Sequence, residues 1–214
     1  MILEAIFARY PASYQGFYVD VGAHHPRRFS NSYHFYENGW RGICIDPVPG
    51  GSRLFAKNRS RDIFLDIGVG ECEEELTYYI FEDPAYNTFS EELLKDIPYE
   101  PIEKRIVRIL PLSKIFDENL PGGVIIDFLS IDAEGFDLQI LRSNDWQRYR
   151  PHAVIIEEMS VNSLNDIAGL EANIIMNQNN YEVISWVPSG LIYADTNFRG
   201  YGGGSYLNYE KDRV

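Results

Sequence analysis

Cysteine is scarce in this chain: two occur among 214 residues, Cys44 inside an apolar run and Cys72 in an acidic loop. Two isolated cysteines form neither a disulfide framework nor a zinc-ligand spacing, and Cys44 reads as a small core hydrophobe. Basic residues are also few. Nineteen Lys plus Arg face 32 Asp plus Glu, giving a formal charge of -13. Such a field repels a polyanion, so nucleic acid is not an expected partner; the plainer reading of the charge is a surface kept soluble. No apolar run reaches the roughly 18 residues that cross a bilayer, and Met1 to Tyr10 lack the basic start and long apolar stretch of a signal peptide. A soluble, cytoplasmic protein without a membrane span is expected. There is no internal repeat and no linker, so 1–214 is expected to form a single domain.

What is present alternates between strands and helices. A lead-in helix is expected over 1–13, with Ile2, Ile6 and Phe7 on one side. Strands are expected at 17–21, 41–46, 62–67, 124–132 and 153–157, with helices at 31–38, 52–58, 112–119, 136–142 and 169–179. Asn38-Gly39 stops its helix as a C-cap. The run from Val124 to Asp132 is the longest apolar one and reads as a central strand buried on both faces. Between the α/β units, 71–111 reads as an insertion with antiparallel strands near 75–81 and 105–110 and a short acidic helix near 91–96. Tyr181–Val187 and Leu191–Ala194, joined by Pro188-Ser-Gly190, read as a closing hairpin. The tail 199–214, rich in glycine, reads as loose. Short connections between alternating elements imply a mostly parallel sheet with helices on both faces and one antiparallel strand at the far side.

Four acidic or small-residue turns close successive strands: Asp20-Val-Gly-Ala, Asp46-Pro, Ile67-Gly-Val and Asp132-Ala-Glu-Gly. In a parallel sheet the carboxyl ends of the strands share one rim, where ligands bind. The first turn is not a dinucleotide fingerprint, which needs three glycines in a GxGxxG pattern. Only Gly22 is present, followed by His24, His25 and Pro26, and Asp20 sets a carboxylate where a phosphate needs none. A ligand with a cationic or neutral polar middle suits this turn, and a ribose suits Asp46. S-adenosyl-L-methionine meets both demands, with a sulfonium, an ammonium, two ribose hydroxyls and no phosphate.

Over nearly its whole length the chain resembles the FkbM family of S-adenosylmethionine-dependent methyltransferases. The likeness lies in Asp20-Val-Gly-Ala-His-His-Pro, Ser30-Asn-Ser with Tyr33-His-Phe-Tyr, Gly39-Trp-Arg-Gly-Ile and Asp127-Phe-Leu-Ser-Ile-Asp-Ala-Glu-Gly135, extended by Ser143-Asn-Asp-Trp146 and Arg150-Pro. It implies a Rossmann-like class I α/β fold, a mostly parallel seven-stranded sheet whose last strand is antiparallel. It further implies that Asp20, Gly22, Ala23 and His24 cradle the methionine part of the cofactor with Asn31 and Ser32. Asp46 then holds the ribose, Ile67 and Gly68 lie against the adenine, and Asp132 faces the amino group or the transferring methyl. No side chain stands out as an adenine acceptor.

A hydroxyl acceptor needs a base or a metal to take its proton. The candidates are His24, His25, Asp132, Glu134 and Glu157. His25 titrates near neutrality and has the alternative of packing beside Pro26; Glu134 has the alternative of capping the helix after Gly135. Asp132 with Glu134 or Glu157 also offers hard oxygen ligands for Mg2+. Tyr78, Tyr79, Tyr86 and Phe89 are candidate walls of an acceptor pocket, with Asn87 to Ser90 as a loop over the cofactor. Trp40, Trp146, His34 and His152 read as structural. The expected activity is O-methylation of a sugar, a glycan or a glycosylated small molecule, and the alternative is a non-catalytic cofactor-binding or scaffold module. A second copy of the chain stays open as a partner.

Overall fold

The computed structural model describes residues 2–8 and 10–198; the expected loose tail, 199–214, lies outside the described residues. The chain runs through α1 (Ile2–Phe7), β1 (Phe17–Val21), α2 (Tyr33–Glu37), β2 (Arg41–Ile45), α3 (Gly51–Asn58), β3 (Ile63–Leu65), β4 (Gly68–Val69), β5 (Glu74–Ile80), β6 (Glu103–Leu110) and α4 (Leu112–Asn119). It continues through β7 (Phe128–Ile131), α5 (Asp137–Arg142), β8 (Ala153–Glu157), α6 (Leu164–Ile167), α7 (Glu171–Gln178), β9 (Tyr181–Val187) and β10 (Gly190–Asp195). No described helix is long and apolar enough to cross a membrane.

Seven strands form one sheet in the order β3-β2-β1-β7-β8-β10-β9. β1, β2, β3, β7 and β8 pair in parallel, and β10 runs antiparallel to both neighbours. The antiparallel last strand is as expected, although it is inserted between β8 and β9 and leaves β9 at the edge. β1 and β7 lie side by side at the centre, where the chain, having run outward through β2 and β3, returns to build the other half. That reversal opens a crevice at the carboxyl ends of the strands, where an open α/β sheet binds its ligand. A second sheet, β4-β6-β5, stands apart, with β5 antiparallel to β6.

Successive strand residues point to opposite faces, and the two cores follow from that. Val19, Val21, Ile43, Ile45, Leu129 and Ile131 pack with α4, α5 and α7. Tyr18, Cys44 and Phe128 pack on the other face with Leu3, Phe7, Phe35, Trp40 and Phe55. Several expected boundaries move. The first helix stops at Phe7 because a turn and Pro11 follow. The third strand ends at Leu65, and Gly68-Val69 belongs to the second sheet instead. In the longest apolar run only Phe128–Ile131 pairs as strand, since the Asp127 carboxylate turns aside to accept the Phe17 N–H at 2.8 Å and the Tyr14 hydroxyl at 2.6 Å. The short helix near 91–96 is a single 3-10 turn at Leu93–Lys95. A four-residue helix, α6, opened by a capping box at Ser163, was not anticipated.

One buried ion pair joins three segments. Arg59, just past α3 and fully buried, donates from Nε to Asp62 at 2.6 Å and from Nη2 to the Tyr18 hydroxyl at 2.7 Å and Ser32 Oγ at 2.9 Å. Its Nη1 reaches Ser30 Oγ at 3.2 Å. Asp62 also accepts from the Tyr18 hydroxyl and the Gly42 N–H. Removing one member of such a pair strands the other in the interior at about 3–5 kcal/mol. Arg59→Ala is therefore expected to cost about that much stability in a denaturant titration, well above the cost of truncating exposed Arg53.

Candidate active site

Gly22 sits at φ +78°, and a Cβ there would lie 1.6 Å from the carbonyl oxygen of Asp132. Only glycine lets the turn after β1 lie against the turn after β7. The Gly22 N–H donates to the Ile45 carbonyl at 2.9 Å, and the Asp132 N–H to the Val21 carbonyl at 3.1 Å. The turns after β1, β2 and β7 are thereby locked together. They form one side of a cleft of about 200 Å3, several times the roughly 30 Å3 share of a water molecule. Gly22, His24, Asp46, Ile67, Gly68, Asp132 and Glu134 line it. The opposite side comes from the insertion, through Tyr78, Asn87, Thr88 and Phe89. Thr88 Oγ1 ties the two sides by donating to the Glu134 carbonyl at 3.1 Å.

Asp46 is buried, and both of its oxygens are fixed by backbone: Oδ2 accepts the His24 N–H and Oδ1 the Val48 N–H, each at 2.7 Å. A carboxylate has about four lone-pair positions, so two remain for a ligand. Burial raises its pKa to about 6, against the opposing pull of those N–H groups. Asp20 is also raised to about 6, chiefly by burial. Its carboxylate accepts from Ser32 Oγ, on the Arg59 side of β1. Asn31 Nδ2 donates to Ser130 Oγ at 3.0 Å. Asp20, Ala23, Asn31 and Ser32 do not line the cleft; they hold its turn from behind.

Asp132, Glu134 and Glu157 converge, with carboxylate oxygens all within 4.8 Å of one another. Burial first, then the charges of Asp132 and Asp137, lift Glu134 to about 7. Asp132 and Glu157 share a hydrogen bond and are both raised, each chiefly by burial. Glu134 stands at φ +47° and does not cap the following helix. Asp137, the first residue of α5, instead ties back to the turn, its Oδ1 accepting the Ala133 N–H at 3.2 Å.

His25 lies off the cleft. Its Nδ1 accepts the N–H groups of Arg27 and Arg28, each at 3.0 Å, which puts the ring proton on Nε2 and leaves no free basic nitrogen. The geometry makes His25 a turn-holding residue, the packing alternative. His24 does line the cleft, and burial and nearby Arg28 hold its pKa below the usual histidine value. Trp40 and Trp146 are core residues. His34 meets Glu4, and His152 meets Asp127 and stacks on Phe198, far from the cleft in the fold. Tyr79 and Tyr86 do not reach the wall.

A family model described as Methyltransferase FkbM domain matches residues 20–183. The chain belongs to the FkbM methyltransferase family. No curated protein and no solved structure matches it. The matched span contains every residue of the cleft, so the family's methyltransferase activity and the cleft belong to the same part of the chain.

One polar residue beside this methyltransferase site escaped the sequence reading, and another, expected only as part of a loop over the cofactor, takes a definite place in the wall. With β3 ending at Leu65, Asp66 closes the strand; it pairs with Arg105 at 3.0 Å through Oδ2 while its Oδ1 is buried without a partner. Asn87, folded back so that its Oδ1 accepts the Phe81 N–H at 2.8 Å, brings an amide to the cleft wall. Gly22→Ala is expected to separate the two turns: its melting temperature should fall by several degrees, and ligand binding in the cleft should be lost even where the variant stays folded.

Proposed function

We propose that this chain is an S-adenosyl-L-methionine-dependent O-methyltransferase acting on a hydroxyl of a sugar, a glycan or a glycosylated small molecule. The observation that carries the cofactor is the chemistry of the wall. Asp46, Asp132 and Glu134 line the cleft, and no Lys or Arg is among its described lining residues. A pyrophosphate would be repelled there, whereas a sulfonium and an ammonium are attracted. Asp46, at the end of β2, keeps two acceptor positions for the ribose hydroxyls. Ile67 and Gly68, which line the cleft, suit the adenine ring. Gly22 and Asp132 take the methionine end, and Asp20, Ala23, Asn31 and Ser32 fix their positions.

When bound, the cofactor supplies a methyl carbon activated by its positive sulfur. Orienting the acceptor oxygen in line with that carbon is the larger part of the catalysis. As the new oxygen–carbon bond forms and the carbon–sulfur bond breaks, the hydroxyl proton passes to a protein base. Glu134 fits that task, since it lines the cleft and its pKa lies near working pH. Asp132 lines the cleft beside it, where a carboxylate suits the cation.

Variants at Asp46 and Glu134 test this reading first. Asp46→Ala removes two charge-assisted hydrogen bonds to the ribose, worth roughly 1.5–3 kcal/mol each; calorimetry with S-adenosylhomocysteine should show affinity falling on the order of a hundredfold or more. No measurable binding to the wild type would sink the proposal. Glu134→Gln should weaken that affinity far less than Asp46→Ala does, since Asp46 and Asp132 remain, and lower kcat by about 10²–10⁴. In the wild type, kcat should rise with pH up to about 7 and then level off, because protonated Glu134 cannot accept. The three carboxylates also offer hard oxygens to Mg2+; a rate lost in EDTA and restored by Mg2+ would assign them to a metal, and an unchanged rate to proton transfer alone. Cofactor binding without transfer to any member of a glycan panel would favour the non-catalytic module.

A further inference from the structure

Phe29 is 94% exposed, the most exposed of the large hydrophobic side chains among the described residues. It is also the only one of those exposed side chains that lines the cleft. An isolated surface aromatic would be unremarkable; one held at the mouth of an active site is a different matter. Its backbone is left-handed, at φ +56°, a conformation that costs a non-glycine residue about 1–2 kcal/mol.

The loop that carries Phe29 is braced on both sides. His25 Nδ1 ties down the N–H groups of Arg27 and Arg28. Arg59, from the interior, donates to the Pro26 carbonyl at 3.5 Å and to Ser30 Oγ at 3.2 Å. Ser30 Oγ in turn accepts the Tyr33 N–H at 3.1 Å. A ring turned out to water by a strained, well-anchored backbone gains nothing for the fold, so its use lies with a ligand.

We infer that Phe29 is an acceptor-recognition residue: its ring stacks against the C–H face of an uncharged sugar ring and turns that ring's hydroxyl toward Glu134. The inference rests on the methyl-transfer reading above. An uncharged ring is indicated because three carboxylates line the cleft that Phe29 borders. Arg59 is the positioning residue of this arm, since it holds the loop without reaching the cleft.

The test uses the full chain loaded with S-adenosylhomocysteine and, as probes, the methyl and 4-nitrophenyl glycosides of glucose, galactose and rhamnose. Binding is read by saturation-transfer NMR and titration. At least one methyl glycoside should bind the wild type with saturation on its ring C–H protons. Phe29→Ala and Phe29→Gly should weaken that binding about tenfold, and Phe29→Tyr should retain it. All three variants should keep the S-adenosylhomocysteine affinity. Phe29→Gly should melt no lower than the wild type, because relief at positive φ offsets the entropy that glycine adds to the unfolded chain.

Failure of every methyl glycoside to bind, or binding indifferent to Phe29→Ala, overturns the inference while the cofactor reading stands. Binding confined to the 4-nitrophenyl compounds overturns the sugar-ring assignment, since the aglycone would then be what stacks. A drop of several degrees in the melting temperature of Phe29→Gly makes Phe29 structural and overturns the inference as well. A wild type that does not take up S-adenosylhomocysteine overturns the methyl-transfer reading, and this inference falls with it.

Discussion

The backbone of Gly22 lies against the carbonyl of Asp132 with no room for a methyl group between them, and the site depends on that contact. β1 and β7 are neighbours because the sheet reverses its order there. Their turns must therefore occupy the same small volume above the sheet. With any side chain at position 22 the turns would part, Asp132 would move away from Asp46, and the wall of the cleft would break at its centre. The N–H of Gly22 on Ile45 brings the β2 turn into the same lock. Three strand ends thus become one surface through backbone contacts, which leaves their side chains free for a ligand.

That surface is held at a cost to the fold. Asp20 and Asp46 are buried with pKa values near 6, against an ordinary 3.8. Each binds its proton more tightly in the folded chain than in the unfolded one. Their ionisation therefore weakens the fold as pH rises from about 4 through 6, and that loss disappears on acidification. Asp132, Glu134 and Glu157 add like charge within 4.8 Å. A positive ligand at these carboxylates would relieve that crowding.

How far the sequence was legible follows from which forces were local. Short apolar runs ending in Asp or Gly announced the parallel strands, because buried strands need no polar face and their ends must reach the rim. The turns at Asp20, Asp46, Ile67-Gly68 and Asp132 therefore carried the rim of the sheet, and of these residues all but Asp20 reach the cleft. The insertion was legible as a wall through Tyr78, Phe89 and Asn87 to Ser90; what stayed hidden was that Gly68-Val69, too short to read as a strand of its own, joins the insertion's sheet. Placing the third strand's end two residues late hid Asp66 inside a strand, where it is in fact the residue that closes it. His25 looked like a base by type alone; only the positions of the Arg27 and Arg28 N–H groups show that its free nitrogen is already used.

Arg59 is the clearest case of what sequence could not show. An arginine at the end of a short polar helix reads as a solvated surface residue, and its burial arises only when β1, α2 and the 25–32 loop close over it. Once there, it must satisfy its donors, and it does so on Asp62, Tyr18, Ser30 and Ser32 at once. Through Ser32 it reaches Asp20, beneath the cofactor turn; through Ser30 and the Pro26 carbonyl it reaches the loop of Phe29, at the mouth. A buried charge has few acceptable arrangements of partners, so these two regions cannot shift independently of one another. The same residue that stabilises one face of the sheet thereby fixes the distance between the β1 turn, proposed to receive the cofactor, and the Phe29 ring, proposed to face the acceptor.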